Sequence, residues 1–210
     1  MVIISSPFSS SHPPSQPSSL SKSGMTVAAL VEQFKGFVKE ARRLQQDYKG
    51  RMDILVGMET EYCDEDTLQA AAALQEQHRL DYVVGSVHHV LGIPIDFSPE
   101  LYEQAEQAAC GTEALFVLYF RMLEKMVLTL RPTVIGHFDL IRLFRPFQPI
   151  TPLILAAARG AARAGVECGC VFELNSSAYR KGFSDPYPQR DFLAVREEES
   201  KGEGASLEYL

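Results

Sequence analysis

The chain has 210 residues, enough for one domain with a sizeable core and a flanking tail. It is 46% hydrophobic and 22% charged, an ordinary soluble composition, and no apolar run approaches the roughly 20 residues of a membrane span. A net charge of −7 argues against a nucleic-acid surface, which needs clustered Lys and Arg to meet phosphates.

Residues 1–24 form a Ser/Pro-rich stretch with too little apolar surface to order itself, so a disordered tail is expected. It lacks acidic residues, as transit peptides do, but has no Arg and only Lys22 as a base. A cytoplasmic protein is the primary expectation, with organelle targeting the lesser one. The domain itself is expected over 25–192, followed by a charged, disordered tail over 193–210. The four cysteines, Cys63, Cys110, Cys168 and Cys170, contain no C-x-x-C pair and read as reduced thiols.

From Thr26, a candidate N-cap, apolar residues from Val27 to Tyr48 recur at helical spacing, and Gly50 stops the helix. A strand over 53–59, a helix over 65–78, a strand over 81–88 and a loop over 89–98 follow. Ser98, Pro99 and Glu100 open a short helix. The clearest helical period covers 112–130. Pro132 then yields to a strand over 133–137, and Thr151-Pro152 caps a helix that Gly165 is expected to end. A fourth apolar strand, CVFELNSS, spans 170–177. Helices alternating with apolar strands predict an α/β fold with parallel strands and polar groups at one rim.

Three of those strands deliver chemistry at their ends: DILVGMETE stops on Glu59 and Glu61, DYVVGSVHH on His88 and His89, and PTVIGHFD on His137 and Asp139. Glu59, His88 and His137 combine a carboxylate with imidazoles, a donor set for divalent zinc, manganese or iron. Any one of them alone reads as ordinary hydrogen-bonded packing, and only the three together read as a metal site. Asp139 reads either as a partner orienting His137 or as a helix-initiating Asp. Strand alternation turns His89 away from His88, which leaves it outside the ligand set. Arg180-Lys181-Gly182 reads either as an anion-binding turn or as a solvated basic loop. Arg142 and Arg145 read as structural or rim charges.

The stretches GMETEY (57–62), DYVVGSVHHV (81–90), VIGHFDLIRLF (134–144) and ELNSSAYRKGFSDPYPQ (173–189) together resemble histidinol-phosphatases of the polymerase-and-histidinol-phosphatase superfamily, most closely the fungal type. The resemblance implies a distorted barrel of about seven strands, a (β/α)7 type, with up to three divalent metal ions at the strands' carboxyl ends. It implies hydrolysis of the small-molecule phosphomonoester L-histidinol phosphate to L-histidinol and phosphate, in histidine biosynthesis. Carried over, Glu59 matches a bridging carboxylate ligand, and His88 and His137 match two histidine ligands. Arg180 falls where a phosphate-binding arginine is expected, with Asn175 beside the pocket.

The same resemblance calls for an H-x-H pair, an Asp-His pair and an Asp-x-His, and none of these occurs among the five histidines. The expectation is therefore an incomplete barrel, with a truncated or mis-spliced gene model as its simplest origin. Two alternatives stand beside phosphatase activity: an inactive fragment serving as an interaction or regulatory protein, and a phosphoesterase of the same superfamily for another phosphomonoester.

Overall fold

The computed structural model describes residues 27–201. The expected tail over 1–24 and the last residues of the charged tail lie outside them. Helix α1 (Val27–Asp47) buries Phe34, Val38 and Ala41 along one stripe, spaced as an amphipathic helix requires. Strand β1 (Gly57–Glu61) leads to α2 (Glu65–His78) and β2 (Tyr82–Ser86). Asp81, just before β2, ties α1 to the sheet: it receives Arg42 at 2.7 Å and the backbone N–H of Val56 at 2.7 Å.

The stretch 89–98, expected as a loop, contains a tight antiparallel hairpin of β3 (His89–Val90) and β4 (Ile93–Pro94). Leu91 and Gly92 both take positive φ at its two-residue turn, the conformation that matches strand twist. Helices α3 (Pro99–Ala108) and α4 (Thr112–Leu130) come next, then β5 (Val134–Ile135) and a 3-10 turn over Leu140–Arg142. Helix α5 (Pro152–Glu167), strand β6 (Val171–Phe172), the short α6 (Ser177–Arg180) and α7 (Arg190–Lys201) complete the described chain.

Of the caps foreseen from the sequence, Ser98 and Thr151 operate, and Thr26 lies outside the described residues. Ser98 Oγ accepts from Leu101 N at 3.3 Å, and Thr151 Oγ1 accepts from Ile154 N at 3.4 Å. At α2, Asp64 and Thr67 satisfy each other's backbone N–H groups reciprocally.

All four longer-range strands run parallel, in the order β1-β2-β5-β6. The result is the mixed α/β architecture expected, a parallel wall rather than a closed ring among the described residues. Register fixes its two faces. Met58, Val83, Ile135 and Phe172 enter the main core with the helices. The alternate positions Tyr82, Val84 and Val134 form a separate small cluster on the other face, which also carries Glu59, Glu61 and Ser86. An aromatic hub anchors the core: Phe120 stacks within 5.4 Å of Phe138 and 5.0 Å of Phe192.

Two expectations are corrected here. Gly165 does not end α5, which continues to Glu167 before Gly169 takes φ +71. Gly165 is there for contact: a Cβ would lie 2.7 Å from the Phe172 ring and 2.8 Å from Ile135 Cδ1, so it lets the helix seat against the sheet. Nor is 193–201 a solvated tail. It continues α7, with Phe192 and Val195 buried and Glu198 and Glu199 paired to Arg159 and Arg163 of α5.

Candidate metal centre

Parallel strands bring residues far apart in sequence to one rim. Glu59 pairs in register with Val84, and Val84 with Val134, so β1, β2 and β5 end side by side. His88 follows β2 by two residues and His137 follows β5 by two. Ile95 N donates to His88 O at 2.9 Å, which holds the hairpin against the His88 backbone.

The three sequence-selected residues converge. His137 Nε2 lies 3.3 Å from Glu59 Oε1 and 3.1 Å from His88 Nε2. The two rings are 4.8 Å apart, and one ligand atom from each of the three residues lies within 4.8 Å of the others. Ser86 Oγ donates to Glu59 Oε1 at 2.8 Å and sets the carboxylate's direction. Gly136 makes room for that hydroxyl, because a Cβ there would sit 2.7 Å from Ser86 Oγ.

The electrostatics match a cation site. The hydrogen bond with His137 holds the Glu59 carboxyl down at about 2, against the opposing effect of burial. Burial, followed by the neighbouring His137 charge, lowers the His88 pKa and favours its neutral form, the one that ligates. Two imidazole nitrogens and a carboxylate oxygen point at one small volume. A single proton satisfies only one pair among them, whereas a divalent cation satisfies all three, so these residues fit such an ion.

His137 needs support, because its φ of +24 is strained for a residue with a side chain. Glu173, beyond β6, supplies it: its Oε2 accepts the His137 backbone N–H at 2.8 Å. Asn175 Nδ2 in turn donates to Glu173 Oε1 at 3.0 Å, and Asn175 Oδ1 accepts from Ser177 N at 2.8 Å. Both ends of the Asn175 amide are therefore engaged in holding the end of β6. Arg180 is exposed on α6, and among the described residues no hydrogen bond or ion pair ties it to the three ligands.

Asp139 does not orient His137; it stands at the N-cap position of the 3-10 turn. Its carboxylate is fully buried and accepts from Arg142 Nε at 2.9 Å and from Gln189 N at 2.9 Å, which turns it from His137. It makes no side-chain cap on the 3-10 turn it precedes. Arg142 is structural, as expected, lying over the rings of Phe183 and Tyr187. Arg145 is engaged too, 2.5 Å from Glu106.

Sequence reasoning missed two participants. Glu173 lay inside the quoted ELNSS stretch, just beyond β6 and two residues before Asn175. His89 is not idle: its Nδ1 meets Glu61 Oε1 at 2.5 Å and lies 3.5 Å from Cys63 Sγ. The alternation that turned it aside stops at Ser86, where β2 ends.

The sequence is also similar to known proteins. It is 42% identical over 177 residues to the probable histidinol-phosphatase of Schizosaccharomyces pombe, covering 81% of this chain and 58% of that one. To the histidinol-phosphatase of Saccharomyces cerevisiae it is 30% identical over 195 residues, covering 78% and 58%. The Bacillus subtilis histidinol-phosphatase is 23% identical over 202 residues, covering 90% and 74%. The chain thus spans little more than half the length of the two yeast relatives. Among the described residues, no helix is long and apolar enough to cross a membrane. The PHP domain family matches residues 10–177, and on the strength of that match this chain belongs to the family.

Proposed function

We propose that this protein takes part in metal-dependent hydrolysis of L-histidinol phosphate to L-histidinol and phosphate, within histidine biosynthesis. The observation that carries the reading is the convergence of Glu59, His88 and His137 at adjacent parallel strand ends, in a chain similar to proteins named histidinol-phosphatase. Bound divalent manganese, zinc or iron would supply a Lewis acid for the phosphoryl oxygens and a hydroxide-like water at neutral pH.

The chain's own groups have defined parts. Glu59 carries the negative charge that holds the cation, His88 and His137 offer imidazole nitrogen donors, and Ser86 and Glu173 hold the Glu59 carboxylate and the His137 backbone. Arg180, exposed on α6, is the guanidinium we assign to the substrate phosphate, because its planar donors match phosphate oxygens in pairs. Asn175 acts beside the pocket by holding Glu173 and the start of α6.

The test is to purify the chain, measure bound metal by elemental analysis, and assay phosphate release from histidinol phosphate with added manganese or zinc. Stoichiometric metal, with turnover lost in His88→Ala and a raised KM in Arg180→Ala, is the expected result. Folded protein that binds no metal and releases no phosphate would sink the reading. Equal turnover of unrelated phosphomonoesters would remove the substrate assignment and keep the chemistry.

A further inference from the structure

We propose that Glu61, Cys63 and His89 form a second metal site, distinct from the Glu59, His88 and His137 cluster and suited to a thiophilic divalent cation such as zinc. Three different donor types meet there: a carboxylate oxygen, a thiol sulfur and an imidazole nitrogen, all within 4.8 Å of one another. Zinc accepts all three, and the sulfur biases the site towards zinc or cobalt over magnesium or calcium.

The distances are close to those a cation would impose. Tetrahedral zinc with ordinary bond lengths places nitrogen and oxygen ligands about 3.3 Å apart and nitrogen and sulfur about 3.5 Å apart. His89 Nδ1 is already 3.5 Å from Cys63 Sγ. Its 2.5 Å approach to Glu61 Oε1 is a hydrogen bond, which a cation replacing the shared proton would widen by a rotation of the carboxylate.

Each donor is held by a separate element. Glu61 ends β1 in register with Ser86, and the next residue, Tyr62, continues the pairing by donating its N–H to Ser86 O at 3.0 Å. Cys63 is buried at the entry to α2, its N–H directed to Thr67 Oγ1 within the capping box. His89 opens β3 and is pinned by pairing with Pro94 across the hairpin. A site assembled from three braced elements requires little ordering when the ion arrives. The His89 and Glu61 side chains keep 16% and 21% of their surface exposed, which gives the ion an entry path and leaves a coordination position for solvent.

This site stands independently of the phosphatase reading, and the experiment separates them. The full chain is stripped with chelator and titrated with cobalt(II), and absorption is followed in the near ultraviolet, where thiolate-to-cobalt charge transfer appears. One equivalent of that band is expected in the unaltered chain and in His137→Ala, which removes a ligand of the other cluster. Loss of the band is expected in Cys63→Ser and His89→Gln, with cobalt still bound at the first cluster. Cys110→Ser and Cys168→Ser serve as controls and retain the band. Circular dichroism checks folding; if Cys63→Ser unfolds, the partly exposed His89→Gln carries the test. A band that survives in His89→Gln, or cobalt bound with no thiolate band at all, overturns the proposal whatever the phosphatase assay shows.

Discussion

On one face of the parallel sheet, Met58, Val83, Ile135 and Phe172 disappear into a continuous apolar core roofed by helices. On the other, only Tyr82, Val84 and Val134 cluster apart, and the rest of the visible chemistry is carboxylate, hydroxyl and imidazole. The two faces are made by the same strands, alternating residue by residue. Burial of apolar surface, worth about 25 cal/mol per Å², stabilises the first face. The second removes charged and polar groups from water and gains only what their mutual contacts return. Apolar stabilisation is thus concentrated on one side and the candidate ligands on the other.

The comparison is open to attack from both sides. Phe120→Ala removes the ring at the centre of the aromatic hub and is expected to destabilise by about 3–5 kcal/mol, read from urea denaturation. Metal bound per folded molecule stays the same in that variant. If metal content falls with it, the faces are not independent. Glu173→Gln works the other way: weaker support of the His137 backbone is expected to reduce metal affinity about 10–100-fold by titration calorimetry. The melting temperature of its metal-free form is expected to move little, and a large drop would make Glu173 a stability residue instead.

Gly136→Ala acts within the second face. The added methyl presses on Ser86 Oγ and Val84 Cγ1, with an expected loss of about 1–3 kcal/mol from overpacking. Restored stability in Gly136→Ala/Ser86→Ala would locate the strain at that hydroxyl. The smallest effect belongs to Arg163→Ala, whose ion pair with Glu199 is exposed on the arginine side, so the melting temperature is expected to change little. A larger loss would mean that α7 contributes more through its charges than through Phe192 and Val195.

Helices α1 to α5 were legible because local rules decide them. The period of α4, the Ser98 and Thr151 caps and Pro152 at the first turn act within a few residues. What stayed hidden depends on contacts across the fold. Gly165 looks like a stop signal in one dimension, and only the approach of Phe172 and Ile135 explains its place inside a helix. The run of Glu after Arg196 suggests a solvated tail, and its helix becomes visible only when Phe192 meets Phe120. Likewise Glu59, His88 and His137 were readable as strand-end ligand types. Glu173 and His89 were not, because their roles depend on a neighbouring strand and on where β2 stops.

The parallel register has one more consequence, for the length of chain that each cluster must close. Parallel neighbours cannot be joined by a tight turn, so each pairing encloses an intervening crossover. Glu61, Cys63 and His89 are linked through β1, α2, β2 and the adjoining hairpin, a short span of chain. Glu59 and His88 reach His137 only across α3, α4 and the pairing of β5 with β2. Closing the longer loop costs more chain entropy, so the first cluster is the more local of the two and the second depends on the third strand of the sheet.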